Sequence, residues 1–185
     1  TGDIFAWFVE NCVPYAVYEE AKNRGATVHQ VLEERAARLA PGQSGLIALD
    51  WWNGNRSVLV DAELSGLMLG MSLTTRPEEM YLALIEATAF GTRKIIEAFA
   101  GNRIPITELF ACGGLAERNK LLMRVYSNVT GLPIRIAQSP QTCALGAAIL
   151  GTVAAGKANG GYDTPQEAAA RMARLKDEAY APDPS

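Results

Sequence analysis

Gly113 and Gly114 close the apolar run of Ile106, Leu109, Phe110 and Ala111 and stand before a helical pattern with Leu121, Leu122, Val125 and Val129 on one face. Glycine loses conformational entropy in regular structure, so an adjacent pair needs a physical reason. Either the chain turns tightly there, or a ligand lies against backbone that a side chain would block. The residues that follow, Leu115, Ala116, Glu117, Arg118 and Asn119, lack the G-x-G-x-x-G pattern of a dinucleotide site and the Gly-Lys-Ser/Thr of a phosphate loop. What remains is a strand, two glycines and a helix start, the position where open α/β sheets bind ligands. The stretch LDWWNGNRS is a second candidate: Trp51 and Trp52 precede an Asn53-Gly54 turn. It reads as a core plug beneath a loop or as an aromatic rim, with Arg56 placed to meet anionic groups. Glu86, one turn from an apolar stripe, is expected half-buried and held by an ion pair or a cap.

No general base is paired with a nucleophile. Asp50 and Asp61 are isolated carboxylates, and His29 is the one histidine of the chain. Cys12, Cys112 and Cys143 lack metal-type spacing and sit in apolar surroundings, which predicts buried, reduced thiols and a cytoplasmic setting. No metal ligands and no catalytic residue are assigned.

These residues must be positioned by a chain of 185 residues, enough for one domain with a real core. Net charge is −3 with Lys and Arg scattered, so neither nucleic acid nor an anionic membrane is an expected partner. No apolar stretch has the length of a membrane span. Asp3 is expected to cap a first helix with Phe5, Phe8, Val9 and Cys12 inward; Pro14 opens a second that ends near Asn23 to Gly25. Thr27 and Gln30 form a capping box for a third, through about Leu39. Strands follow at LIALD and GLMLGMSL. Thr75, Pro77 and Glu78 open a long helix over about 77–100, with Ile85, Ala89, Ile96 and Phe99 as its core stripe. Strand ITELFA, a helix near 117–129 and strand LPIRIA make a βαβ unit. A small-residue helix, CALGAAILGTVAAG, offers a flat packing face; Thr164, Pro165 and Glu167 open the last helix, before a Pro-rich tail. Alternating strands and helices give an α/β fold with a mixed or largely parallel sheet flanked by helices.

Taken together and in order, these stretches resemble the C-terminal domain of the FGGY family of carbohydrate kinases. The family's C-terminal signature is matched by Gly66, Met68, Gly70, Met71, Glu79, Met80, Ala83, Ile85 and Glu86, with Leu84 departing from the usual choice at its position. Gly113 and Gly114 match the family's adenosine-binding glycines, and Ala144 to Ala148 its Ala-Leu-Gly-Ala-Ala segment. Within the family, the stretches over 2–14, 45–66 and 83–97 are similar to pentulose kinases, and NGNRS stands where other branches carry a Gly-Glu-Arg-Thr-Pro type loop.

The resemblance implies an actin/hexokinase/Hsp70-like (ribonuclease H-like) domain over residues 1–180, with 181–185 as a tail. It implies ATP with Mg2+, and an adenosine site at Gly113, Gly114, Leu115, Arg118 and Asn119. The family's aspartate base, its phosphate-cradling turns and most contacts to the pentulose sugar map upstream of Thr1. The chain therefore reads as a fragment, inactive alone. Two alternatives stand beside this: another FGGY sugar kinase, acting on xylulose or ribitol, and a non-catalytic actin-like module. The module would use the 143–155 helix and the 51–52 loop for contacts, the same surfaces on which a homodimer would form.

Overall fold

The chain begins with three short helices packed around aromatic residues. A computed structural model describes residues 2–183, with α1 (Gly2–Cys12), α2 (Tyr15–Arg24) and α3 (Val28–Ala36) leading. Ile4, Phe5 and Phe8 are the buried stripe of α1; Asp3 lies in its first turn rather than at a cap. Pro14 precedes α2, which ends on a left-handed Gly25 (φ 62°). The capping box of α3 forms as its sequence demands: Gln30 N–H donates to Thr27 Oγ1 (3.2 Å) and Thr27 N–H to Gln30 Oε1 (2.8 Å). An ion-pair chain links α2 to α3, with Arg24 between Glu20 and Glu34 and Arg35 reaching Glu20.

Strands β1 (Ile47–Leu49) and β2 (Leu67–Leu69) pair antiparallel as a separate two-stranded ribbon, so the GLMLGMSL strand is much shorter than its apolar run. Between them Trp52 lies over Gly66, where any Cβ would overlap the indole ring.

The long helix α4 (Pro77–Gly101) is the spine of the molecule, packing on α1, α3, β1 and α6 (Lys120–Thr130). Its start differs from expectation by one residue. Arg76 is the N-cap, and Arg76 N–H donates to Glu79 Oε2 (2.7 Å); Glu78 is instead buried near Arg35 and Arg76. Ile85 and Ala89 are fully buried, but Ile96 is only half-buried and Phe99 is 44% exposed. The fully buried stripe of α4 therefore ends at Ala89.

A second sheet has the order β3–β4–β5, formed by β3 (Leu109–Ala111), β4 (Ile134–Ala137) and β5 (Leu175–Tyr180). β3 and β4 are parallel across α5 (Gly114–Arg118) and α6, as a βαβ unit requires. β5, which no strand signal in the sequence announced, runs antiparallel to β4. Ser127, buried on α6, fixes its end through the Tyr180 carbonyl (3.1 Å). Buried Ile134 and Ile136 face the core, whereas β3 is an edge strand with Phe110 58% exposed, not the sheet interior its apolar run suggests. The small-residue helix α7 (Thr142–Ala155) buries none of its residues and touches α8 (Pro165–Met172), which Thr164 caps through Glu167 N–H (3.2 Å).

The thiol expectation fails for two of the three cysteines. Cys112 and Cys143 are exposed, at the end of an edge strand and on the open α7; Cys12 is half-buried, and burial pushes its thiol up.

Candidate functional site

The two glycines turn out to have different reasons. Gly113 takes φ 85° and ψ 175°, a backbone conformation closed to other residues, and a Cβ there would meet nothing; it serves the tight turn. Gly114 is the first residue of α5, is exposed, and also has open space where a Cβ would be. That space is the mouth of a cavity of about 660 Å3.

Four of the five expected residues, Gly114, Leu115, Arg118 and Asn119, form one wall of the cavity; Gly113 stands just outside it. The opposite walls come from elements far away in sequence. α1 contributes Gly2, Phe5 and Ala6, the capped start of α3 contributes Thr27, His29, Gln30 and Glu33, and α4 contributes Tyr81. None of these eight was expected from the sequence, since their placement depends on contacts between helices. The one local signal was the Thr27–Gln30 box, which accounts for a helix start without pointing to a ligand.

Asn119 does not offer its side chain to the cavity. It is 4% exposed at the break between α5 and α6, its Oδ1 accepts Leu122 N–H (2.8 Å), and its amide donates to Tyr81 Oη (3.2 Å). It is the joint that holds α5 on α4. Tyr81 is 1% exposed within Phe5, Phe8 and His29, at ring-centroid distances of 5.4, 6.2 and 6.2 Å. Burial foremost, then the Glu33 charge, pushes the Tyr81 phenol far up, so its proton stays on. Burial pushes the His29 imidazole down, keeping it neutral near pH 7. Glu33 Oε1 accepts Leu121 N–H (3.2 Å), and Arg118 is exposed at the rim.

An aromatic and aliphatic floor with a few polar groups converging on it suits a flat heteroaromatic ligand. Arg118 adds a positive charge toward the solvent side. No nucleophile faces a base, and no group of three potential metal ligands is gathered among the described residues.

The remaining candidates lie elsewhere. Trp52 is the plug of the Trp loop, resting on Gly66, while Trp51 and Arg56 line a separate groove where Arg56 donates to Asn53 Oδ1 (3.2 Å). Glu86 is half-buried; burial pushes its carboxyl up, partly offset by the Gly42 N–H. A wider groove of about 1120 Å3, lined by Phe110, Arg135 and Leu145, receives none of the expected site residues.

The model of the FGGY family of carbohydrate kinases, C-terminal domain, matches residues 1–155. Ribulokinase of Halalkalibacterium halodurans is 57% identical over 183 residues, covering 99% of this chain and 32% of that protein. Ribulokinase of Geobacillus thermodenitrificans is 58% identical over the same span and share. The chain thus spans 32% of the length of these curated relatives. Among solved structures, xylulose kinase from Rhodospirillum rubrum superposes with a TM-score of 0.75 at 24% identity, over 100% of this chain and 34% of that one. Plasmodium falciparum glycerol kinase with ADP gives 0.68 at 18% identity, over 98% of this chain and 33% of that one. At such identities these structures speak for the fold.

Proposed function

The chain belongs to the FGGY family of carbohydrate kinases, as its C-terminal domain, and from that membership we propose that it is the nucleotide-holding part of an ATP-dependent ribulokinase. The observation that carries this is the single cavity that gathers Gly114, Leu115, Arg118 and Asn119 with α1, α3 and Tyr81. In this reading adenosine enters against the bare Gly114 backbone, Leu115 and the Phe5–Tyr81 floor sandwich the base, and Arg118 faces the ribose or the phosphates. Asn119 acts by position, through Tyr81 and the start of α6.

The domain is taken as residues 1–180. Mg2+ accompanies the ATP phosphates. The pentulose, and the aspartate that deprotonates its attacking hydroxyl, belong to polypeptide outside this chain, so phosphoryl transfer requires that second lobe to close on the nucleotide. Ribulose is favoured over xylulose because relatives at 57% and 58% identity carry the ribulokinase name, against 24% for the xylulose kinase.

Calorimetric titration tests the reading. Adenosine and Mg-ATP are expected to bind this chain with similar, weak affinity, since the cavity holds the nucleoside end. At Gly114 a Cβ would meet nothing within 4 Å, so Gly114→Leu projects its side chain into the open space beside the backbone. It should therefore weaken both ligands on the order of tenfold or more while leaving the melting temperature unchanged. Unaltered affinity in that folded variant would sink the adenosine assignment.

A second reading draws on the exposure of α7: an actin-like module that uses this face for subunit contacts. A tight dimer in analytical ultracentrifugation, with no nucleotide affinity even when the missing lobe is supplied, would favour it.

A further inference from the structure

The other face of α1 borders a second cavity, of about 370 Å3. Phe5 and Ala6 look into the nucleotide-side cavity, while Asp3, Ile4 and Trp7 look into this one. Its remaining walls are Asp50, Trp52 and Asn53 from the loop after β1, and Thr88 of α4. We propose that this cavity is a binding site for an organic ammonium group, held against the Trp7 and Trp52 rings with the Asp3 and Asp50 carboxylates as counter-charges.

The two rings are tilted against each other, with centroids 6.1 Å apart and planes inclined by 59°. Trp52 cannot swing away because its ring is seated on bare Gly66. Two indole faces attract a cation through their quadrupoles, Trp being the strongest of the aromatic side chains in this respect. The charges point the same way. Both ionisable side chains in the wall are carboxylates, and no Lys, Arg or His lines the cavity. The nearest cations, in the adjoining groove, are engaged: Arg56 with Asn53, and Lys94 with Glu97 (2.8 Å).

Asp50 is seated to serve. It lies against the bare backbone of Gly91, where a Cβ would come within 2.6 Å of Oδ2, so the helix at that point has no side chain that would push the carboxylate away. Burial pushes the Asp50 carboxyl up, partly offset by its own backbone N–H and by the positive charge at the start of the chain. The Thr88 hydroxyl already donates to the Ile85 carbonyl (2.9 Å), so toward the cavity it offers lone pairs only and no donor that would compete for the carboxylates. A metal ion is a poorer fit, because no third carboxylate, His or Cys joins the two aspartates among the described residues. A neutral polyol would leave two carboxylates without counter-charge.

The tryptophans of the chain are Trp7, Trp51 and Trp52, all in or beside this site, so intrinsic fluorescence reports on it selectively. The chain is titrated with tetramethylammonium chloride at constant ionic strength, with sodium chloride and ribitol as parallel titrants. A saturable spectral change for tetramethylammonium alone supports the proposal. So does a loss of affinity on the order of tenfold in Asp50→Asn. If Asp50→Asn does not fold, the exposed Asp3→Asn gives the same reading with a smaller loss. A response no different from sodium chloride, saturation by ribitol but not by the ammonium, or unchanged affinity in a folded aspartate variant overturns it.

Discussion

Asn119 shows how a residue can belong to a site without touching what the site holds. Its acceptor caps α6 and its donor fixes Tyr81, so both ends of the amide are committed inside the fold. Asn119→Ala removes a helix cap and strands a buried hydroxyl, which together should lower stability by about 2 kcal/mol. Asn119→Asp keeps the capping acceptor and should lose less. Urea denaturation of the two variants checks this, and equal losses would show that the cap contributes nothing. At this scale legibility depended on distance along the chain. Gly114 was marked by its own local pattern and Leu115 and Arg118 by the family resemblance, and all three line one cavity wall. Tyr81, which forms the floor beneath them, sits 38 positions from its partner Asn119 and carries no local mark of that pairing. Gly66 is similar: its lack of a side chain is explained only once Trp52 is seen lying on it.

Elements were legible where their signals are local. The α3 cap, the proline start of α4 and the glycine stop of α2 depend on neighbours within a few residues, and all formed. The α3 cap also lines the proposed nucleotide cavity, so it can be tested from both sides. Thr27→Ala should cost about 1 kcal/mol of stability and, by loosening the turn that carries His29 and Gln30, weaken adenosine binding. Thermal melts and the adenosine titration measure the two effects, and an unaltered melt would mean the box is not holding the helix. What the sequence concealed were elements made by partners. β5 reads LKDEAY, with charges on both sides of any alternation, and is a strand only because β4 accepts it. The stripe of α4 continues to Phe99 in the sequence, yet Phe99 is left 44% exposed.

For the molecule as a whole, the alternation of strands and helices was enough for the α/β class, but not for the division into two small sheets or the placing of β3 at an edge. A pattern of apolar residues shows what is able to be buried; whether it is buried depends on what else is present. α7 makes the point most plainly: fourteen residues, none charged and none buried, with Leu150 61% exposed. On a chain whose net charge is only −3, that stripe has no repulsion to hold a second copy at a distance. Colloidal behaviour, more than folding free energy, will then set the working concentration of this polypeptide. Static light scattering should give a negative second virial coefficient, which Leu150→Glu should move toward zero or above by planting one charge in the stripe. A variant that scatters like the parent would place the attraction on another surface. The outcome would be felt at the bench, because every titration described above has to be run below the concentration at which molecules begin to attract one another.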